Sequence, residues 1–118
     1  MSNNSFKTKF DFETRKKESD KIKLKYPNRY PIIINKTKKC LLPEIEKTKF
    51  LIPGDLTMGQ FMFVIRKRIK LEDKDSLFFF INDNTIPLTS SLISTIYEDH
   101  KDEDGFLYVS YCNENVFG

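Results

Sequence analysis

No apolar run in this 118-residue chain approaches the roughly 18 consecutive residues that a membrane-spanning helix needs. Its first residues, Met1-Ser2-Asn3-Asn4, lead into charged sequence with no apolar signal region, so a cytosolic origin is the simplest expectation. Cysteine is scarce: Cys40 and Cys112 are the only two, and outside a secretory context both are expected as free thiols. No zinc-ligand spacing exists, and neither a G-x-x-x-x-G-K nor a G-x-G-x-x-G phosphate loop occurs. No metal or cofactor is therefore expected. The sole histidine, His100, leaves one enzyme reading open, a Cys–His nucleophilic pair. Two isolated residues carry little signal for it, because buried cysteine is usually inert packing.

What is present reads as one globular domain. Charged residues are 31% and hydrophobic residues 39% of the chain, a balance that is neither disordered nor membranous. The length suffices for one core. Charge is unevenly placed. Residues 1–49 hold 14 Lys and Arg against 6 Asp and Glu, while residues 50–118 hold 6 against 11. A basic half of this kind suits an acidic peptide, an anionic bilayer or nucleic acid, and is also what a solvated helix face looks like.

Residues 11–25 read as a charged helix capped by Asp11 and stopped at Tyr26-Pro27, with so few apolar positions that it should lie on a domain rather than inside one. Arg29 to Asn35 is a strand centred on Ile32-Ile33-Ile34, and a second runs from about Thr48 to Pro53, the two forming a hairpin with a long loop. Thr57-Met58-Gly59-Gln60 matches a capping box, opening a helix with Phe61, Val64, Ile65 and Ile69 on its apolar face. Leu77 to Ile81 is a third strand, apolar on both faces. It is either central and covered on both sides, or it exposes an apolar stripe. Thr85-Ile86-Pro87 is expected as a short edge strand, and Ser90 to His100 as a helix with Leu92, Ile93, Ile96 and Tyr97 inward. Phe106 to Tyr111 alternates as the last strand, followed by a polar tail. The order is that of an α+β roll, a hairpin with a helix packed across a sheet.

Several stretches carry a closer likeness. They are Lys25-Tyr26-Pro27-Asn28-Arg29 with Pro31, Phe50-Leu51-Ile52-Pro53 with Asp55-Leu56-Thr57, and Gly59-Gln60-Phe61. Val64-Ile65-Arg66-Lys67-Arg68-Ile69, Leu77-Phe78-Phe79-Phe80 and Ile96-Tyr97-Glu98-Asp99-His100-Lys101 continue the series. Asp104-Gly105-Phe106-Leu107-Tyr108-Val109 and the tail Glu114-Asn115-Val116-Phe117-Gly118 complete it. In these the chain resembles the autophagy ubiquitin-like modifiers, which include the GABA-receptor-associated protein and microtubule-associated-protein light chain three. The resemblance covers nearly the whole chain. It implies a ubiquitin-like β-grasp with two additional N-terminal helices, the first over residues 5–9. It further implies an N-terminal helical subdomain (1–27), a β-grasp core (28–112) and a flexible conjugation tail (113–118).

The resemblance also implies the chemistry. In the family a terminal glycine carboxylate is adenylated with ATP by an activating enzyme. It then passes as a thioester between enzyme cysteines and ends as an amide on phosphatidylethanolamine. Gly118 occupies that position, and the protein is cargo rather than enzyme. Glycine lets other backbones and active sites approach closely. The implied locations are the cytoplasm and, when lipidated, the autophagosome membrane. The implied partners are activating, conjugating and deconjugating enzymes, the phosphatidylethanolamine membrane, and cargo receptors and adaptors bearing aromatic-x-x-aliphatic motifs with acidic neighbours. Nucleic acid is not expected as a partner, and the chain is expected to be a monomer.

In the family such peptides add as a strand beside the second strand of the sheet. Carried over residue by residue, the aromatic pocket would be Glu18, Ile22, Pro31, Lys49, Leu51 and Phe106. The aliphatic pocket would be Phe50, Ile52, Pro53, Leu56, Phe61 and Val64. Lys47, Lys49, Arg29 and Arg68 would face acidic residues. From period alone, Ile52, Leu56, Phe61 and Val64 read as ordinary core. The chain departs from the family pattern at Thr48, which stands where relatives often have a base. Tyr30 is expected to alter the first pocket, the turn at Asn82–Thr85 is one residue longer, and Leu88 replaces a proline. Two rival readings remain beside the Cys–His enzyme: conjugation to proteins instead of lipid, and a basic-helix module for microtubules or RNA. The RNA reading has weak support, since no stacked aromatics or RNP-like motif accompany the basic residues.

Overall fold

A computed structural model of the chain describes residues 5–115. The elements run α1 (Ser5–Lys9), α2 (Phe12–Lys25), β1 (Arg29–Lys36), β2 (Lys49–Pro53), α3 (Met58–Arg68), β3 (Phe78–Ile81), α4 (Ile93–His100) and β4 (Leu107–Cys112). The four strands form one sheet in the order β2-β1-β4-β3. The central pair, β1 and β4, is parallel, and both outer pairs are antiparallel. This is the expected ubiquitin-like α+β roll, with two helices ahead of it.

Helices α2 and α3 start where the sequence supplies a side-chain cap. The Asp11 carboxylate accepts the Thr14 N–H at 2.8 Å, opening α2. Thr57 and Gln60 form the expected capping box: the Thr57 hydroxyl accepts the Gln60 N–H at 3.2 Å, and the Gln60 side chain accepts the Thr57 N–H at 2.8 Å. The end of α3 closes as a Schellman motif, with Leu71 N–H on the Arg66 carbonyl and Lys70 N–H on that of Lys67. Lys70 holds the left-handed position there, at φ 57°.

Both faces of the sheet are covered. Helices α3 and α4 bury one face, packing Met58, Phe61, Ile65, Ile93, Ile96 and Tyr97 against Ile32, Ile34, Phe50, Ile52, Phe79, Ile81, Leu107, Val109 and Tyr111. On the other face, Phe6 of α1 and Ile22 of α2 pack on Ile33, Phe106 and Tyr108. The double cover explains the unbroken Ile32-Ile33-Ile34 run and a β4 that is buried at every position. Helix α2 is indeed a surface helix, with Ser19 its one buried residue.

A buried ion pair fastens α2 down. Arg15 Nη1 lies 2.5 Å from Asp104 Oδ2, and the Asp104 side chain is fully buried. The same carboxylate accepts the Tyr108 hydroxyl at 2.5 Å and the Phe106 N–H at 2.8 Å. Burial, and then the neighbouring Asp104 carboxylate, push the Tyr108 phenol well above its ordinary range.

The structure corrects four expectations. Strand β3 is neither central nor striped. It is an edge strand covered on both faces, with Phe79 and Ile81 in the helix-side core and Phe80 packed with Cys40 and Cys112. Thr85-Ile86-Pro87 is not a strand. Asn82 and Asp83 both take left-handed backbone in a tight turn, which pairs Ile81 with Thr85 alone, and Pro87 has no N–H to extend the ladder. Helix α4 begins at Ile93 rather than Ser90, leaving Leu92 as an exposed N-cap. The carbonyls of Thr89 and Ser91 instead accept the Gly59 and Met58 N–H groups at the start of α3. Val64 is 36% exposed, because α3 turns Met58, Phe61, Ile65 and Ile69 to the sheet and leaves Val64 on its flank.

Candidate functional site

Strand β2 is the other sheet edge, and its backbone parity decides what it can offer. The Ile34 N–H bonds the Thr48 carbonyl at 2.8 Å, and the Gly54 N–H bonds the Asn28 carbonyl at 3.1 Å. Residues 48, 50, 52 and 54 therefore turn their backbone groups toward β1, and Lys49 and Leu51 turn theirs outward. A free edge of this kind is a template for an added strand. Among the described residues, one side chain bonds this outward backbone: Arg29 Nη1 donates to the Leu51 carbonyl at 3.1 Å.

Side chains alternate across the strand. Lys49 and Leu51 face α2, and Phe50 and Ile52 face α3. Between α2 and β2 lies a cavity of about 410 Å³ lined by Glu18, Lys21, Ile22, Lys47, Lys49 and Leu51. It brings together four of the six residues assigned to the aromatic pocket. Ile22 and Leu51 are half-buried apolar groups in its wall, and Lys49 is ion-paired to Glu18 across it. Pro31 is buried in β1 opposite Leu51, and Phe106 is fully buried beneath, in the cluster that includes Ile22. These two support the wall from below. Lys21 is a lining residue that the resemblance did not supply. It lies one residue before Ile22 on α2 and could have been named from that adjacency.

On the α3 side, Phe50, Ile52 and Phe61 are core residues, with the Phe50 and Phe61 rings edge-to-face at 5.7 Å. Pro53 and Leu56 are half-buried and Val64 is exposed. The six assigned residues thus form a filled apolar floor with Val64 at its margin. Lys47 and Arg68 reach over it, placing their charges 5.0 and 5.3 Å from the Phe50 ring centre. Arg29, Lys47, Lys49 and Arg68 are all exposed, so four cations rim the edge strand.

Tyr30 does not line the first pocket. Its ring packs on Tyr97 at 4.9 Å, with Lys23 Nζ 3.8 Å above it, and it borders a separate cavity with Gly54 and Leu92. One residue of register puts it on the opposite side of the sheet from Leu51.

A grasp-like sheet with two covering N-terminal helices and a cation-rimmed free edge matches known proteins over nearly its full length. The family model described as autophagy protein Atg8 ubiquitin like matches residues 14–118. The chain belongs to that family. Autophagy-related protein 8 of Kluyveromyces lactis is 55% identical over 114 residues, covering 97% of this chain and 91% of that protein. Autophagy-related protein 8e of Arabidopsis thaliana is 54% identical over 113 residues, covering 96% and 92%. The crystal structure of Trypanosoma brucei ATG8 superposes with a TM-score of 0.87 at 42% identity, covering 96% of this chain and 97% of that one. Plasmodium falciparum Atg8, solved in complex with a Plasmodium falciparum Atg3 peptide, gives 0.85 at 38%, covering 93% and 96%. This Atg8-family chain is a ubiquitin-like autophagy protein, not an enzyme. Gly118, the assigned conjugation residue, lies outside the described residues. Among the described residues, no helix is long and apolar enough to cross a membrane.

Proposed function

We propose that this Atg8-family protein is joined through Gly118 to the amine of phosphatidylethanolamine, and that on the autophagosome membrane it holds aromatic-x-x-aliphatic peptides along β2. In this reading residues 1–27 and 28–112 supply the docking surface and 113–118 is the conjugation tail. The observation that carries the peptide reading is the outward-turned backbone of Lys49 and Leu51, set between an open cavity on the α2 side and an apolar floor on the α3 side.

The incoming peptide adds an antiparallel or parallel strand, and the Arg29 guanidinium moves off the Leu51 carbonyl to an acidic residue of the peptide. The Glu18–Lys49 pair opens at small cost, since half-exposed ion pairs contribute about 0–1 kcal/mol. The aromatic side chain enters between Ile22 and Leu51, and the aliphatic one lies on Leu56 and Val64. Each buried anchor contributes roughly 1.5–3 kcal/mol. After ordering costs, micromolar affinity, about −8 kcal/mol, is expected. Exchanging both Lys49 and Leu51 for Ala should weaken binding of an acidic aromatic-x-x-aliphatic peptide by about 10–100-fold, read by titration with the fold checked by circular dichroism. Unchanged affinity would sink the site.

Covalent attachment is tested separately. Incubation with activating and conjugating enzymes, ATP and phosphatidylethanolamine liposomes should yield a lipid adduct by mass spectrometry, and Gly118→Ala should yield none. Two acyl chains make such attachment stable where a single chain is marginal. An adduct on a protein lysine in place of the lipid would favour the protein-modifier reading.

A further inference from the structure

The two cysteines, distant in sequence, meet in the fold. Cys40 follows β1 in a turn closed by its own N–H on the Thr37 carbonyl at 3.2 Å, and Cys112 ends β4. Both are buried, free thiols in one cluster with Phe80, against which Leu42 and Phe78 pack. Their sulfurs converge on a single atom: Asn113 Oδ1 lies 3.8 Å from Cys40 Sγ and 3.5 Å from Cys112 Sγ.

A second observation singles out Cys112. It borders a cavity of about 570 Å³ whose other walls are Thr37, Lys38, Lys39, Leu41, Asn113 and Glu114. Thr37 is 2% exposed, and its hydroxyl oxygen has no hydrogen-bond partner among the described residues. Buried hydroxyls are seldom left so. Thr37 and Cys112 line the same cavity, where a thiolate could supply the acceptor this hydroxyl lacks. Burial resists ionisation of Cys112, but the Glu114 N–H, the Thr37 hydroxyl and the Cys40 thiol outweigh it and hold its pKa below the ordinary thiol value. Burial pushes Cys40 the other way. The exposed Lys38 and Lys39 make the mouth of the cavity cationic.

We infer that Cys112 is a peroxide-reactive thiol, that its cavity admits a small hydroperoxide such as hydrogen peroxide, and that Cys40 resolves the product to an intramolecular disulfide. The Cys112 thiolate attacks one peroxide oxygen and the O–O bond breaks. Cys112 becomes a sulfenic acid, and the departing hydroxide takes a proton to leave as water. The Cys40 sulfur then attacks the Cys112 sulfur, expelling hydroxide, which takes the Cys40 proton and leaves as a second water. Two electrons pass from the thiols to the peroxide, and a thiol reductant returns them. The resulting bridge ties the β1–β2 loop to the end of β4, from which residues 113–118 depart. This chemistry stands apart from peptide and lipid binding.

The reduced full chain is exposed to hydrogen peroxide, blocked with iodoacetamide, digested and analysed by mass spectrometry. A monomer lighter by two hydrogens, with the Cys40 and Cys112 peptides linked, is expected. On the unsubstituted chain, brief iodoacetamide labelling should mark Cys112 at least about tenfold faster than Cys40. Cys40→Ser should stop at a sulfenic acid trapped by dimedone, and Cys112→Ser should leave Cys40 a thiol at the same exposure. A chain that keeps both thiols, a bridge only between two chains, or faster labelling of Cys40 would each overturn the inference. The labelling ratio needs no substitution, so a variant that fails to fold cannot obscure it.

Discussion

Asp104 offers the sharpest test of how the N-terminal helices are held, and with them the cavity that α2 shares with β2. Asp104→Ala removes a fully buried carboxylate that serves three donors: Arg15 at 2.5 Å, Tyr108 at 2.5 Å and the Phe106 N–H at 2.8 Å. The Arg15 side chain is 11% exposed, so its charge is left largely desolvated and unpaired. Breaking a buried pair in this way costs about 3–5 kcal/mol. Against a total stability of about 5–15 kcal/mol for a domain, that is a large fraction. With a urea slope of about 1–3 kcal/mol per molar, the midpoint should fall by roughly 1–5 M. Urea melts followed by far-ultraviolet circular dichroism measure it. Pairing the change with Arg15→Met should recover part of the loss, because the unpaired guanidinium goes with it. A midpoint drop below about 0.3 M, or a double variant no better than Asp104→Ala, would refute the ion-pair account.

Two further outcomes follow from backbone and charge. Lys70 sits at φ 57° at the end of α3, where a Cβ is penalised, so Lys70→Gly should stabilise the chain by about 0.5–1 kcal/mol in the same melts. Burial opposes the charge on Asp102, but the Lys7 ammonium at 2.7 Å and the Asp104 N–H outweigh it and hold its carboxyl below the usual range. Its contribution is therefore complete above the ordinary carboxylate pKa and lost as pH falls through the folded value. Asp102→Asn should reduce stability at neutral pH and flatten the acid limb of a stability profile taken from about pH 5 to 2.

The element order was readable because its signals are local. The Asp11 cap, the Thr57–Gln60 capping box, the Pro27 stop and the Ile32-Ile33-Ile34 run each act within a few residues. The candidate site was readable in another way, through the resemblance. Period alone assigns Ile52, Leu56, Phe61 and Val64 to the core; Ile52 and Phe61 lie there, whereas Leu56 is half-buried and Val64 is exposed. Where local signals compete with partners from afar, sequence reading fails. Nothing near Ser90 says that its segment will cap α3 and so delay α4, and nothing in Val64 says that α3 will rotate it outward.

By itself the sequence determined the four strands and helices α2, α3 and α4, the caps of α2 and α3, the family likeness and the cationic residues of the first half, all properties of composition and short-range spacing. The open edge of β2 was implied by the resemblance, but tertiary structure alone decided that β3 is the other sheet edge, that Asp104 meets Arg15, and that Cys40 meets Cys112. Each of these depends on which strands pair and in what register. Register is a property of two segments brought together, and neither segment encodes it alone.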